Sequence, residues 1–176
     1  MPEESRAKQR ALKHLSRAFL NFSQPYGHIY TTAGKPQGVA IWLPPEASHI
    51  TLSQLWQVVT SGLVIAPFHI RWARMLDSIS LISRELQLHQ TLAPEPHWYL
   101  GMLGVSPDCQ GQGIGSRLLQ PVLEAADRTN RPCYLETTTT AAVRFYQRHG
   151  FEVVHQDQCL GHQYWAMKRY PQDESR

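Results

Sequence analysis

Cysteine is scarce in this chain, and the few that occur are widely spaced. Three cysteines stand at positions 109, 133 and 159 among 176 residues. An odd number without a short spacing favours neither a disulfide framework nor a zinc knuckle, and free thiols are typical of a reducing cytosol. The nine histidines form no HxxxH pair and no cluster with cysteine, so no metal site is predicted.

Long apolar runs and strong charge are lacking as well. The apolar stretch from Val58 to Ile70 is interrupted by polar and proline residues and is too short to cross a bilayer. The N-terminal segment MPEESRAKQR has no apolar signal core. Seventeen basic and fourteen acidic side chains give a formal charge of +3, far from the basic stripe of a nucleic-acid binder. We therefore expect a soluble, cytoplasmic protein that binds neither membrane nor nucleic acid.

Length and periodicity predict one mixed α/β domain over residues 1–170, followed by a polar tail at 171–176, because 176 residues suffice for one core but not for two. Apolar residues recur at helical spacing in five segments, namely 5–22, 52–63, 68–86, 114–128 and 141–150. Six segments read as strands, namely 29–32, 39–43, 97–107, 133–138, 151–160 and 162–170. The first two strands flank a glycine-containing turn and are predicted to form a hairpin.

Glycine and proline mark two irregularities within these elements. Gly101 and Gly104 suggest a bulge or a close backbone approach in the third strand. Pro121 lies inside the helix at 114–128 and is expected to kink it, because proline removes one backbone hydrogen bond.

The turn between the third strand and the helix that follows it carries the clearest functional signal. Its sequence, CQGQGIGS, places glycine at positions 111, 113 and 115 directly before an amphipathic helix. Unpaired N–H groups and the helix dipole converge at such a turn, and the missing Cβ atoms admit a phosphate. Gln110 and Arg117 can add donors. A plain turn that uses glycine for positive φ is the alternative, but three alternating glycines favour an anion site.

Two other phosphate motifs match this turn less well. A P-loop requires lysine and then serine or threonine at the helix start, whereas Ser116 and Arg117 follow Gly115. A dinucleotide fold would use Glu136, which ends the next strand, to bind a ribose. However, the glycine spacing differs, and only 40 of the 176 residues follow Glu136 to complete a doubly wound sheet.

Two segments resemble the motifs of one enzyme family. Gln110-x-x-Gly113-x-Gly115 after LGMLGVSP resembles the acetyl-CoA pyrophosphate motif of the GNAT N-acetyltransferases, and LETTTTAAVRFYQRHGFEVV resembles their second motif. The match covers about Trp98 to Val154, and GVAIWLPPE, HWYLGMLGVSP and LET are most similar to the puromycin N-acetyltransferase-like branch. The resemblance implies the GNAT fold, a mixed central sheet with splayed parallel strands flanked by helices.

The resemblance also implies acetyl-CoA as acyl donor and a set of residues that bind it. The backbones of Leu103, Gly104 and Val105 would meet the pantetheine arm and the acetyl carbonyl, and the N–H groups of Gly104 and Val105 would stabilise the oxyanion. The pyrophosphate would lie against seven residues, Gln110, Gly111, Gln112, Gly113, Ile114, Gly115 and Ser116.

Two side chains fall on catalytic positions of the family. Tyr146 matches the general acid near the thioester sulfur, and Glu136 matches a strand-borne glutamate that takes the proton of the amine directly or through water. Tyr146 could instead be a core residue beside Phe145, and Glu136 a solvated carboxylate or an ion-pair partner. His97 could line an acceptor pocket.

The chain departs from the family pattern in two places. Ala142 stands where the family often has asparagine, and the strand and helix that normally precede the helix at 5–22 are missing. Either the start is truncated, or a sheet edge is left open and needs the tail or another chain to cover it, as in a homodimer. The expected function is acetyl transfer to a primary amine of a small molecule by direct attack, with an acceptor pocket formed in part by the helices between residues 51 and 90. The alternative is a degenerate domain that binds CoA as a sensor or partner module.

Overall fold

The computed structural model describes residues 23–47, 87–159 and 162–172, together with Arg17, Leu20 and Asn21. Its six strands are β1 Ile29–Thr31, β2 Gly38–Leu43, β3 Trp98–Val105, β4 Cys133–Thr137, β5 Glu152–Cys159 and β6 His162–Arg169. They form one sheet in the order β1-β2-β3-β4-β6-β5. The β3–β4 pair is parallel and the other four pairs are antiparallel. The predicted mixed α/β fold is confirmed.

Helices flank this sheet on both faces. The two longer ones are α1 Ile114–Arg128 and α2 Thr140–Gln147. Residues 87–92 are also helical, and three single turns of 3-10 helix occur at Gln24–Tyr26, Pro45–Ala47 and Pro107–Cys109. The helix α1 continues through the exposed Pro121, so the kink expected there stays a prediction.

Local chemistry explains the hairpin and the start of α2. Ile29 faces Ile41 and Thr31 faces Val39 across β1 and β2, and the Thr32 hydroxyl accepts a hydrogen bond of 2.8 Å from the Gln37 N–H within the turn. The hairpin predicted from the sequence is thus confirmed. At α2, Thr139 is the N-cap residue, and its side chain accepts from the N–H of the third helical residue at 3.2 Å.

Other predicted segments fall mainly on residues that the structure does not describe. The helix at 5–22 is described only at Arg17, Leu20 and Asn21, which are helical. The two helices between residues 51 and 90 lie outside the described residues as far as residue 86. The homodimer that would cover an open sheet edge stays a prediction.

A bulge in β3 sets which of its side chains face α1. Ile41 of β2 pairs with Met102, but the next residue, Trp42, pairs with Leu100, so Gly101 is the extra residue. This confirms the bulge predicted in that strand. The bulge shifts the alternation of side chains, and Leu100 and Leu103 therefore both pack on the α1 face although three residues separate them.

The parallel pairing of β3 with β4 is short. It covers Trp98 to Leu100 in β3 and Cys133 to Leu135 in β4. Beyond Leu100, β3 continues for five residues to Val105, while β4 continues only to Thr137. Among the described strands, this edge of β3 has no further partner after Leu100, which leaves an opening between the two carboxyl-terminal ends.

The sheet separates two apolar clusters. On one face, α1 buries an amphipathic stripe against Trp42, Leu135 and Phe151, and its six buried residues are Ile114, Leu118, Leu119, Val122, Leu123 and Ala126. Each large aliphatic residue buried in this way stabilises the fold by about 1.5–3 kcal/mol. The other face carries a smaller cluster of Ala93, Tyr134, Tyr164 and Ala166, against which Leu88, Leu92 and Tyr99 pack.

Candidate active site

The glycine loop leaves the start of α1 without a side-chain cap. Gly111 and Gly113 adopt left-handed backbone angles, with φ of 77° and 72°. Gly113 is the N-cap residue of α1, and no side chain caps the helix there. The first N–H groups of α1 therefore lack the usual side-chain acceptor, as an anion site at a helix start requires.

Gly115 serves a different purpose from the other two glycines. A Cβ atom at this position would lie 3.1 Å from Cζ and 3.4 Å from Cε2 of Phe145 in α2. Its backbone is not left-handed. The absence of a side chain at Gly115 thus allows α2 to approach the first turn of α1.

Gln110 and Arg117, which the sequence offered as further donors, brace the loop in this structure. The Gln110 amide Nε2 donates to the Val105 carbonyl at 3.3 Å, and Arg117 Nη1 donates to the Gln112 carbonyl at 3.1 Å. A depression of about 360 Å³ lies beside α1, lined by Arg117 and by residues of the β1–β2 turn. Contact of Gln110 and Arg117 with a phosphate stays a prediction.

Ser116 connects the glycine loop to the end of α2. Its hydroxyl lies 2.9 Å from Nε2 of His149, and Nδ1 of the same imidazole lies 2.9 Å from the Phe145 carbonyl. The His149 carbonyl in turn accepts from Nε of Arg169 at 3.1 Å. These contacts join α1, α2 and β6 behind the loop.

Tyr146 is buried in the cluster on the α1 face. Its side chain is 8% exposed, and its ring packs edge-on to that of Phe151 with 5.8 Å between centroids. Burial raises the pKa of Tyr146 to about 12. The phenol therefore holds its proton at neutral pH, which a general acid and a core residue both require, and the catalytic role stays a prediction.

Glu136 lies on the other face of the sheet, at the residue where the pairing of β3 with β4 has just ended. Leu135 is the last residue of β4 that pairs with β3, and Glu136 pairs only with Ala166 of β6. The Tyr99 hydroxyl hydrogen-bonds to its carboxylate, and burial together with the Glu136 charge raises the pKa of Tyr99 well above its ordinary value. The side chain of Glu136 is 18% exposed.

The structure does not bring the two predicted catalytic residues onto one surface. Tyr146 belongs to the α1 face, and Glu136 belongs to the face of Tyr134 and Tyr99. The opening between the ends of β3 and β4 lies between these faces. A thioester that passed through this opening could meet both side chains.

A histidine pair lies beside Glu136, formed by His97, which the sequence analysis placed in a possible acceptor pocket, and by His89, which was not predicted as part of a site. Nε2 of His89 lies 2.7 Å from Nε2 of His97, and Nδ1 of His89 lies 3.8 Å from the Glu136 carboxylate. His97 is fully buried and His89 is 5% exposed. No spacing rule links residues 89 and 97 to residue 136, because the contact forms only when the helical segment 87–92 packs on the sheet.

An ion pair between Lys168 and Glu95 lies next to the cluster of His89, His97 and Glu136. The ammonium group of Lys168 contacts the Glu95 carboxylate and also donates to the Leu92 carbonyl at 3.3 Å. Burial opposes charge on Glu95, but the hydrogen bond and positive charge of Lys168 outweigh it and lower the pKa of Glu95. Lys168 is 5% exposed, so its charge is compensated within the protein.

Comparison with known proteins finds a family match for part of the chain. Residues 80–153 match the family described as an acetyltransferase (GNAT) domain. This match covers 74 of the 176 residues. An uncharacterised N-acetyltransferase of Schizosaccharomyces pombe is 24% identical over 134 residues, which is 72% of this chain and 53% of the yeast protein. This chain therefore spans about half the length of that relative.

Two solved structures share the fold of this chain. One, described as histone acetyltransferase HPA2 and related acetyltransferase from Corynebacterium glutamicum, is 24% identical with a TM-score of 0.55, over 100% of this chain and 81% of that one. The other is Naa20 of Chaetomium thermophilum in complex with a bisubstrate analogue, 14% identical with a TM-score of 0.51, over 87% and 71% of the two chains. The chain thus shares its fold with these two proteins.

Three further findings concern the Cys133 thiol, metal binding and membrane-spanning helices. Burial raises the pKa of the Cys133 thiol to about 12, so it is no thiolate nucleophile at neutral pH. Within the described ranges, no group of three or more His, Cys, Asp or Glu side chains is arranged to hold a metal ion. In that same part of the chain, no helix is long and apolar enough to cross a membrane.

Proposed function

We propose that this chain is an acetyl-CoA-dependent N-acetyltransferase that acts on a primary amine by direct attack. The observation that carries the proposal is the uncapped start of α1 behind two left-handed glycines, at the end of a strand whose parallel pairing stops after Leu100. An anion site and an opening in the sheet are thus adjacent. The GNAT domain match adds support, because acetyl-CoA is the donor of this family.

In this proposal, the backbone of β3 and the glycine loop hold the donor. Leu103 and Val105 offer main-chain groups on the edge of β3 that faces the opening. Gly104 directs its main-chain groups to β2 instead, because the next residue but one, Ser106, donates its N–H to the Gln37 carbonyl on that side. Residues 110–116 receive the pyrophosphate, since the helix dipole and free N–H groups at the start of α1 favour negative charge. The N–H group of Val105 stabilises the tetrahedral oxyanion, and the same role expected of Gly104 is not supported by this pairing.

Two side chains move the protons of the reaction. Glu136 takes a proton from the ammonium form of the acceptor, because only the neutral amine is a nucleophile. The amine nitrogen then attacks the acetyl carbon and forms the N–C bond, and the C–S bond of the thioester breaks. Tyr146, which is protonated at neutral pH, gives its proton to the departing thiolate, and the second proton lost by the acceptor nitrogen returns the Tyr146 phenolate to its neutral form through solvent.

We propose a small-molecule amine as acceptor, of the kind used by the puromycin N-acetyltransferase-like branch. Support comes from the segments GVAIWLPPE, HWYLGMLGVSP and LET, which supply β2, β3 and the end of β4. The bisubstrate complex of Naa20 makes peptide amines the comparison to include. The acceptor pocket is proposed to involve residues 51–90.

Two measurements on the purified chain test this function. Calorimetric titration with acetyl-CoA, with NAD and ATP as parallel ligands, should show selective saturable binding of acetyl-CoA. Release of free CoA with a panel of aromatic, aliphatic and peptide amines should then identify the acceptor class. Binding without transfer to any amine would favour the CoA-binding sensor or partner module, and the absence of binding would contradict both functions.

A further inference from the structure

His149, just after the end of α2, is hydrogen-bonded at all of its polar atoms. Its N–H donates to the Tyr146 carbonyl at 2.9 Å, and its carbonyl accepts from Nε of Arg169 at 3.1 Å. In the ring, Nδ1 lies 2.9 Å from the Phe145 carbonyl, and Nε2 lies 2.9 Å from the Ser116 hydroxyl. The position and the orientation of the imidazole are therefore both determined by its neighbours.

The backbone around His149 is held by a second set of contacts. Arg169, which is 4% exposed, donates to both carboxylate oxygens of Asp127 at 2.7 Å. The next residue in the chain, Gly150, has φ of 81°, and a Cβ atom there would lie 2.7 Å from Nε2 of Gln172 and 3.4 Å from Nε of Arg169. The end of α1 and the residues of β6 and beyond thus enclose the backbone from which the imidazole extends.

Ser116, the partner of His149 on α1, belongs to the first turn of that helix. The first hydrogen bond within α1 runs from the Arg117 N–H to the Gly113 carbonyl at 3.1 Å. The N–H groups at positions 114, 115 and 116 precede it and have no acceptor within the helix. A contact with the Ser116 side chain therefore acts on the same residue that supplies the third of these N–H groups.

The contact between α1 and α2 includes a ring packing as well as this hydrogen bond. The Phe145 ring lies against Gly115, where a Cβ atom would be 3.1 Å from its Cζ. Such packing limits how closely the two helices approach, but it has little directional preference. The hydrogen bond between Ser116 and His149 is directional. It therefore also restricts how the first turn of α1 is oriented.

The glycine loop itself contributes little order to that turn. Gly111 and Gly113 have left-handed backbone angles, and no side chain caps α1 at Gly113. Glycine is the conformationally freest residue, and the uncapped end of a helix tends to fray. An anchor outside the loop is thus needed to hold the N–H groups in one arrangement.

We propose that His149 is a positioning residue of the acetyl-CoA site, which holds Ser116 and the free N–H groups of α1 in the arrangement that receives the pyrophosphate. The inference rests on the proposed function, in which acetyl-CoA is the donor. A site that is ordered before binding gains affinity, because less conformational entropy is lost when the ligand binds. His149 moves no proton in the reaction, so its loss should raise the Kd and the KM for acetyl-CoA and leave kcat unchanged.

Two substitutions separate the two ring contacts of His149. Asparagine keeps a donor near the position of Nδ1 for the Phe145 carbonyl but is too short to reach Ser116. Glutamine keeps an acceptor near the position of Nε2 for the Ser116 hydroxyl. Calorimetry should show the Kd for acetyl-CoA raised about 2- to 10-fold in His149→Asn, and His149→Gln should match the wild type. His155→Asn in β5, a histidine on another element, is the control and should leave the Kd unchanged.

A double variant tests whether His149 and Ser116 act through one contact. Ser116→Ala and His149→Asn each remove it, so the double variant should bind acetyl-CoA no more weakly than the weaker single variant. Losses that simply add would show that His149 acts by another route and would overturn the proposal. An equal loss of affinity in His149→Asn and His149→Gln, or a fall in kcat with KM unchanged, would overturn it as well.

Hydrogen exchange without ligand distinguishes failure of this inference from failure of the proposed function. The Arg117 amide, which forms the first hydrogen bond of α1, should exchange about 2- to 10-fold faster in His149→Asn and at the wild-type rate in His149→Gln. If the wild type binds no acetyl-CoA, the proposed function fails, and this exchange still decides whether His149 holds the start of α1. If the wild type binds acetyl-CoA and His149→Asn binds it equally well, the function stands and the role of His149 is refuted.

Discussion

Nε2 of His149 lies 2.9 Å from the Ser116 hydroxyl, and this contact ties the end of α2 to the first turn of α1. Nδ1 of His149 faces the Phe145 carbonyl at 2.9 Å and therefore carries hydrogen. In the neutral ring Nε2 accepts, so the Ser116 hydroxyl proton points at His149. The Ser116 hydroxyl is thus engaged with His149 at the start of α1.

We therefore expect Ser116→Ala to weaken acetyl-CoA binding, because the start of α1 loses its tie to α2. Such a hydrogen bond contributes about 0.5–1.5 kcal/mol, so the Kd measured by calorimetry should rise by about 2- to 10-fold. Thr129→Ala, which removes a hydroxyl at the other end of α1, is the control and should leave the affinity unchanged. Equal affinities of Ser116→Ala and the wild type would show that the contact with His149 does not support the donor site.

The left-handed glycine at position 111 offers a second test. Gly111 and Gly27 have φ of 77° and 72°, and a Cβ atom would meet nothing within 4 Å at either site. Alanine at each should cost about 1–2 kcal/mol of backbone strain, and for a chain of this size the Tm should fall by about 2–8 °C in both variants.

Of these two variants, only Gly111→Ala should change the affinity for acetyl-CoA. Gly111→Ala displaces N–H groups at the start of α1, so we expect acetyl-CoA binding to weaken about tenfold, while Gly27→Ala leaves it unchanged. Calorimetric titration and thermal unfolding of both proteins measure the two effects. Equal affinities would mean that the loop conformation does not form the pyrophosphate site.

Much of the fold and the glycine loop could be predicted from local sequence. Turn residues bound each described strand, the helix α1 ends at Arg128 as predicted, and the Gly101 bulge follows from a glycine inside a strand pattern. These features depend on residues close together in the chain. Local physical chemistry therefore suffices to place them.

The surroundings of the site could not be predicted in the same way. Ser116 and His149 are 33 residues apart, and the pair of His89 with Glu136 depends on a helical segment that packs across two strands. In the sequence, Gly115 belongs to the same motif as Gly111 and Gly113. In the structure, its lack of a side chain instead makes room for the Phe145 ring. Both faces of β4 are covered, so CYLET shows no simple alternation that would have put Glu136 opposite the α1 face.

Tyr146→Phe tests the general acid. Removal of the hydroxyl should lower kcat by about 100-fold with the KM for acetyl-CoA unchanged, because thiolate departure loses its proton donor. Since burial raises the pKa of Tyr146 to about 12, any loss of rate between pH 8 and pH 10 should persist in the variant. Tyr170→Phe removes an exposed phenol and serves as control. Unchanged turnover would leave Tyr146 as a core residue only.

The bidentate pair of Asp127 and Arg169 should control acid stability. Arg169 is 4% exposed and donates to both oxygens of Asp127 at 2.7 Å, while the Gln172 N–H donates to the same carboxylate at 2.8 Å. Burial opposes charge on Asp127, but the Arg169 hydrogen bonds outweigh it and lower its pKa. A carboxyl group whose pKa is lowered by folding stabilises the fold above about pH 4, and this contribution is lost as the pH falls through the lowered value.

Asp127→Asn should therefore destabilise the protein at neutral pH and matter little in acid. It leaves the Arg169 charge buried without its partner, which costs about 3–5 kcal/mol and lowers the Tm by about 6–20 °C at pH 7. The Tm difference from the wild type should narrow steadily as the pH drops below about 4, since the wild type then loses the same interaction. Glu152→Gln on the exposed edge strand β5 is the control and should change the Tm by about 1 °C or less. A Tm difference that stayed constant from pH 7 to pH 3 would show that the charge of Asp127 does not hold Arg169, and with it the His149 carbonyl, in place.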